Sequence, residues 1–353
     1  MHFANSLEPV GLIQHFLNNP PEEFDPIATA FGQPGFYMNF NLFTTADPDT
    51  IKRLSALPAS GFLRRLLTWR TLFFGTTVSE YLPSIPNVEA EMLVDAMLTT
   101  WKRASRLLIV KDIPEPSPLL PDCDNTAATG LMAACKNKGF TLVAGQALAY
   151  VTIDFQDEDE YLSRLSSGRR KNIRRKLRVR NDLQIDVIRT GCECLKDTNL
   201  LNELYGLYLE VYGQSEIHFD KLTADFFANV LQDESLDGHL FLYHAKEKLI
   251  GFNLCFIHNG ILIDKYVGFH YPDARDYNLY FVSWMENLSF ALSRQLTHYV
   301  AGWTDPEIKA YLGAKFTFTQ HAVYVRNPIL RQIMGKFSRL FEHDKAWFES
   351  MQQ

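Results

Sequence analysis

Asp264 lies in the apolar run "ILIDKYVGFH", residues 261–270. Carboxylates are rarely placed inside apolar strands, and one that is can be poised to take a proton. The competing reading is a strand-surface carboxylate paired with Lys265 or Lys248. Strand alternation puts Asp264 on one face with Leu262 and Tyr266. His270 ends the same run, and an imidazole titrates close enough to neutral pH to serve as a base. Its bland alternative is a loop histidine. Lys309, in "GWTDPEIKAYLGA", could hold an anionic group or could be a solvated helix lysine. Trp303, Asp305 and Tyr311 fall in the same segment, as candidates for contact with a second substrate. Asp305 precedes Pro306, so it reads equally as a helix start.

Other chemistries have no anchor. The histidines show no metal-ligand spacing, so no metal is expected. There is no Gly-x-Ser-x-Gly, no GxxxxGK[ST] and no GxGxxG. Cys123, Cys135, Cys192, Cys194 and Cys255 form no CxxC pair, and reduced thiols are the plain reading. Cys192 and Cys194 look too close in sequence for an easy bridge. The N-terminal residues lack the basic start and apolar centre of a signal peptide. No run is long and apolar enough for membrane insertion, and a cytoplasmic location is expected.

The 353 residues carry a net charge of −6, with 46% hydrophobic and 22% charged content. Such a chain can bury a core, and its charge gives no support for general nucleic-acid binding. One stretch runs against that balance. "SSGRRKNIRRKLRVR", residues 166–180, has eight Lys and Arg and no acid. Arg169, Arg170, Arg174 and Arg175 form its centre. It reads as a solvated helix whose charge suits the dipole, as an anion platform, as a tRNA contact or as a membrane-surface patch. The acids Asp157 to Glu160 just before it suit a helix start, and Gly168 is a place where the helix could break.

Around these residues the pattern predicts an α/β (α+β) chain. "NVEAEMLVDAMLTTWKRAS" is a helix with Val88, Met92, Met97 and Trp101 at turn spacing, and "RLLIVKDIP" is a strand. "DPDTIKRLSAL" and the tail "LRQIMGKFSRLFEHDKAWFESM" also read as helices. Later, "HLFLYHAKEKLIGFNLCFIHNGILIDKYVGFH" is a three-strand meander, with turns at Lys-Glu-Lys and at Asn259-Gly260. A loop, a long helix, the strand "THYVAGWT", a short helix and a last strand follow it.

Strand, two helices, three antiparallel strands, long helix, strand, helix, strand is an order that resembles the GNAT (N-acetyltransferase) superfamily. The basic segment and "GWTDPEIKAYLGA" narrow the resemblance to the tandem branch. That branch groups Fem-type aminoacyltransferases with cellulose-biosynthesis acetyltransferase-like proteins. It implies two GNAT-like halves, each a mixed, mostly antiparallel sheet flanked by helices. The expected boundaries are 1–155 for a degenerate half, 156–180 for the basic connection, and 181–353 for the acyltransferase half with its tail helix. It further implies that strands at 261–269 and 297–303 splay apart. Asp264 or His270 would then deprotonate an amine acceptor, small molecule or peptide. Amides of Tyr266, Val267 and Gly268 would hold an oxyanion. Amides of Tyr277, Asn278 and Leu279, with Arg275, would hold acyl-CoA phosphates. The loop "HYPDARDYNLY" lacks the glycines usual there, and Lys309 stands where family members place a Tyr. Those departures keep an aminoacyl-tRNA donor, or a scaffold without chemistry, as alternatives.

Overall fold

A computed structural model describes residues 3–27, 31–42, 60–101, 105–215, 219–327 and 331. The helix expected at 47–57 and, but for Arg331, the tail helix expected at 330–351 lie outside the described residues. The chain divides into two compact units. Unit one takes the residues up to Asn5, Glu23–Ala147 and the stretch from Thr317, and unit two takes Ser6–Glu22 and Leu148–Phe316. The units therefore do not follow the expected boundaries at 155 and 181, because each includes sequence from the other half.

Elements are numbered along the chain, from α1 (Val10–Asn18) to β11 (Lys315–Val325). Unit one holds β1 (Asp25–Ile27), β2 (Gly35–Asn41), β3 (Thr68–Phe74) and β4 (Leu107–Pro114), with β11 on the far edge of β4. All its neighbours are antiparallel except β3 and β4. Its helices are α2 (Ser60–Leu67), α3 (Ala90–Thr100) and α4 (Asp122–Asn137). In α3 the core takes Leu93, Val94 and Met97, whereas Met92 points to solvent. The expected stripe is thus rotated by about one residue.

Unit two orders its strands β5 (Thr141–Thr152, from Leu148 on), β10 (His298–Gly302), β9 (Ile261–Phe269), β8 (Lys248–His258), β7 (Gly238–Ala245) and β6 (Gln184–Arg189). Only β9 and β10 run parallel. The meander turns form as predicted. Lys246 and Glu247 have φ of 49° and 67°, and Asn259 and Gly260 have 48° and 75°. Paired positive φ values give the turn whose twist matches a hairpin.

Two helix layers sandwich this sheet. On one face lies α10 (Leu279–Ser293), whose Trp284, Met285 and Leu288 are buried with Leu262 and Tyr299. On the other lie α7 (Thr198–Gln214) and α8 (Ala224–Gln232). Both start at side-chain caps. Asp197 accepts from the Asn199 N–H and Thr223 from the Phe226 N–H. Gly268 on β9 lets this second layer approach. A β-carbon there would stand 2.2 Å from the Phe252 ring and 2.8 Å from Leu207 Cβ. Gly268→Ala is expected to destabilise the fold by about 1–3 kcal/mol, read from a urea unfolding midpoint.

The acidic and basic stretch is two helices, α5 (Glu158–Ser163) and α6 (Ser167–Lys176), rather than one. The break falls at 164–166, ahead of Gly168, because Ser166 turns extended and Arg170 donates to the Ser163 and Leu165 carbonyls. Leu162, Leu165 and Ile173 are buried and form a narrow docked edge.

Candidate active site

β9 and β10 pair only through 261–263 and 298–300. From Asp264 onward they part, which is the splay expected from the element order. Asp264 is the first residue past the split. Its carboxylate accepts from Asn253 Nδ2 at 2.9 and 3.1 Å, from Asn287 Nδ2 at 3.0 Å and from the Tyr299 hydroxyl at 3.2 Å. Asn253, Asn287 and Tyr299 are all buried. Burial pushes the Asp264 carboxyl up to about 6 against the pull of these donors and of the Lys309 cation. The residue as a whole is half-buried.

Lys309 comes from α11 (Pro306–Leu312) and is 4% exposed. Gly302 lies between the two groups. A β-carbon built on it would stand 3.8 Å from the Asp264 carbonyl oxygen and 3.9 Å from Lys309 Nζ. Its φ of 77° also favours glycine. Among the candidates, then, Asp264 and Lys309 come together at the split.

His270 does not join them. It lies six residues beyond Asp264, about 20 Å along an extended strand, and its ring is held by Asp273 at 2.9 Å and Lys248 at 3.3 Å. Tyr266 also lies elsewhere than expected. Leu254 pairs with Tyr266 but Cys255 pairs with Asp264, so Lys265 is an extra residue in β9. This bulge flips the alternation. Tyr266 packs on Phe226 and Phe227 of α8, opposite the face of Asp264. Gly268 shares that side, while Val267 and Phe269 pack towards α10. Alternate N–H groups of β9 past Ile263 point to the edge that β10 has left, where no other strand stands among the described residues.

The loop after β9 forms a single turn, α9 (Asp273–Asp276). Two of the three amides expected to meet phosphate are engaged within it. The Tyr277 N–H donates to the Asp273 carbonyl at 2.9 Å and the Asn278 N–H to the Arg275 carbonyl at 3.1 Å. Leu279 is the first residue of α10. Arg275 stacks over Tyr271 with 5.2 Å between guanidinium and ring centre.

Asp305 precedes α11 with φ 53° and makes no side-chain cap bond, so the capping role read for its carboxylate is not realised. Its charge, after burial, helps keep the Tyr271 and Tyr280 hydroxyls protonated. Tyr311 faces the basic helix instead. Asn172 donates to its hydroxyl at 2.8 Å, and Arg169 lies 5.5 Å over its ring. Trp303 is half-buried at the end of β10.

Part of the basic stretch is neutralised at once. Arg174 pairs with Asp159 at 2.7 Å, and Arg180 pairs with Glu158 and Glu286. A groove of about 480 Å³ between α5 and α6, lined by acids and bases together, is distinct from the Asp264 site. Arg169, Lys171, Arg175 and Arg178 remain exposed. Lys176 lies 3.7 Å above the Phe281 ring.

The sequence reading missed the three donors around Asp264. Asn253 in "IGFNLCF" and Asn287 in "SWMENLSF" are polar residues in apolar runs, the same signal that picked out Asp264. Tyr299, in "THYVAGWT", carries no such signal. His321 accepts from the Asp112 N–H at 3.0 Å. Among the described residues there is no group of three His, Cys, Asp or Glu able to hold a metal, and no helix long and apolar enough to cross a membrane.

A parallel strand pair that splits within a mostly antiparallel sheet is the frame of a GNAT-like fold. Residues 125–351 match the FemAB-like family, described as peptidoglycan biosynthesis/recognition, and the chain belongs to that family. It is accordingly a transferase of the acyl or aminoacyl kind. No curated protein sequence matches it. Its fold is similar to three solved structures. One is the C-terminal domain of a putative lysylphosphatidylglycerol synthetase from Agrobacterium fabrum, with TM-score 0.54, 11% identity, and 92% of this chain and 94% of that one covered. Another is L-PGS from Bacillus licheniformis, with TM-score 0.53, 10% identity and coverage of 96% and 98%. The third is FemX, with TM-score 0.52, 11% identity and coverage of 92% and 98%.

Proposed function

We propose that the chain transfers an aminoacyl group from an aminoacyl-tRNA ester to the amine of a peptide-like acceptor. Asp264 carries the reading. It is a carboxylate with a raised pKa, held by three side-chain donors at the mouth of a strand split. The acceptor amine attacks the ester carbonyl, and Asp264 takes the proton that the nitrogen sheds. The oxyanion meets alternate N–H groups on the open edge of β9. The tRNA hydroxyl leaves as the carbonyl reforms. Lys309 keeps Asp264 ionised and offers its charge to the developing anion.

The choice of donor rests on the loop after β9. Tyr277 and Asn278 give their amides to carbonyls of their own turn, which takes from a CoA pyrophosphate the donors it would need. Exposed Arg169, Lys171, Arg175 and Arg178 supply cations suited to a phosphate backbone. Family membership agrees with this donor and with a peptidoglycan-type acceptor.

Melting curves with aminoacyl-tRNA, with deacylated tRNA and with acetyl-CoA test the reading. Aminoacyl-tRNA is expected to raise the melting temperature, with the shift shrinking as salt rises. Acetyl-CoA is expected to leave it unchanged. A shift with acetyl-CoA alone would return the donor to acyl-CoA, and silence from every arm would overturn both donors.

A further inference from the structure

Cys192 and Cys194 flank Glu193 in the turn between β6 and α7. One intervening residue reads, in sequence, as too short for an easy bridge. The structure brings the two Sγ atoms within 2.7 Å, with Cys194 exposed and Cys192 partly so. The turn that does this is fixed from outside. Gly191 has φ 79° and donates to the Leu231 carbonyl at 2.8 Å. A β-carbon on Gly191 would stand 2.6 Å from Glu234 Cβ. Leu195 is fully buried and its carbonyl accepts from Gln232 at 3.0 Å. The pair is thus held together by its scaffold before any bond forms, which is the arrangement that favours ring closure.

The two thiols are not equivalent. Hydrogen bonds from the Cys194 side chain and backbone hold Cys192 below the usual thiol value, while burial and then Cys192 itself push Cys194 up to about 11. Cys192 is therefore the nucleophile and Cys194 the resolving thiol. Of the other cysteines, Cys135 and Cys255 are buried and Cys123 is exposed.

We propose that Cys192 and Cys194 form a reactive dithiol that low-molecular-weight disulfides oxidise to an intramolecular disulfide. The Cys192 thiolate attacks one sulfur of the small disulfide. A mixed disulfide forms and one small thiolate leaves. Cys194 then loses its proton and attacks Cys192 Sγ, expelling the second small thiolate. Two protein thiols are oxidised, one small disulfide is reduced to two thiols, and the protons shed by the cysteines end on them. This site is separate from Asp264 and does not depend on the transferase reading.

The test treats the full chain with oxidised glutathione, then measures intact mass and maps peptides without reduction. The expected product has lost two hydrogens, with Cys192 linked to Cys194. Exposed Cys123 serves as the internal reference: it is expected to take one glutathione and keep it, so that the intact mass rises by one glutathionyl group less the two hydrogens of the bridge. Cys194→Ser is expected to stop at one glutathione on Cys192, and Cys192→Ser to form no bridge. The proposal is overturned if glutathione stays on Cys192 or Cys194 in the unaltered chain. It is equally overturned if both remain free thiols while Cys123 reacts.

Discussion

Asp264→Asn is expected to slow transfer by about 10²–10⁴-fold, the range a positioned general base contributes. The accompanying change in pH dependence is more diagnostic. In the unaltered protein the rate should rise with pH through about 6, as Asp264 ionises, and level off above it. Asn cannot titrate, so the variant's residual rate should lose that limb. Stability has the opposite sign. Folding raises the Asp264 pKa from 3.8 to about 6. The folded state therefore binds more protons than the unfolded chain in that window, and Asp264's share of stability falls as pH rises through it. Activity needs the form of Asp264 that the fold least favours. A profile with the same limb in Asp264→Asn would remove Asp264 from the role of base.

Lys309→Met gives the second large effect. The Lys309 cation lowers the Asp264 pKa. Without it the activity limb should move up by about one pH unit, so that the rate near pH 6 falls roughly fivefold. The same change should unbalance the fold only where Asp264 is charged. At pH 8 the variant is expected to lose about 1.3 kcal/mol, the equivalent of the one-unit shift. At pH 5, where Asp264 is protonated, the loss should nearly vanish. Rate profiles and urea unfolding at the two pH values check both halves. A limb that stays in place, with equal destabilisation at pH 5 and pH 8, would reduce Lys309 to a packing residue.

Much of this frame could be read along the chain. Hairpin turns, helix caps and the order of elements are set by neighbours a few residues apart, and the meander followed from them, while the strand split was implied by the family resemblance that this order carries. Asp264 was visible as a polar residue out of place in an apolar run, and Lys309 through the segment "GWTDPEIKAYLGA" that holds it. What was not legible depends on pairing across distance. The extra residue at Lys265 is known only from the register of β8 against β9, and it sends Tyr266 away from Asp264. Asn253 and Asn287 stand 11 and 23 residues from Asp264, on different elements, and nothing local points them at it. The turn bonds that occupy the Tyr277 and Asn278 amides likewise come from the loop's closed shape.

The membership of β5 and β11 has a consequence for how the chain can be made and inherited. β11 closes the edge of β4 although more than half the sequence separates them, and β5 gives its later residues to β10. Cutting the gene at the basic connection would leave each fragment with a sheet missing one edge. Such fragments would expose bare backbone donors and acceptors, the template for aggregation. The first unit also gains β11 only after the second has been synthesised, which delays its completion on the ribosome and lengthens the search for native pairings. The two halves are thereby bound to evolve together, since neither can be exchanged without a strand of the other.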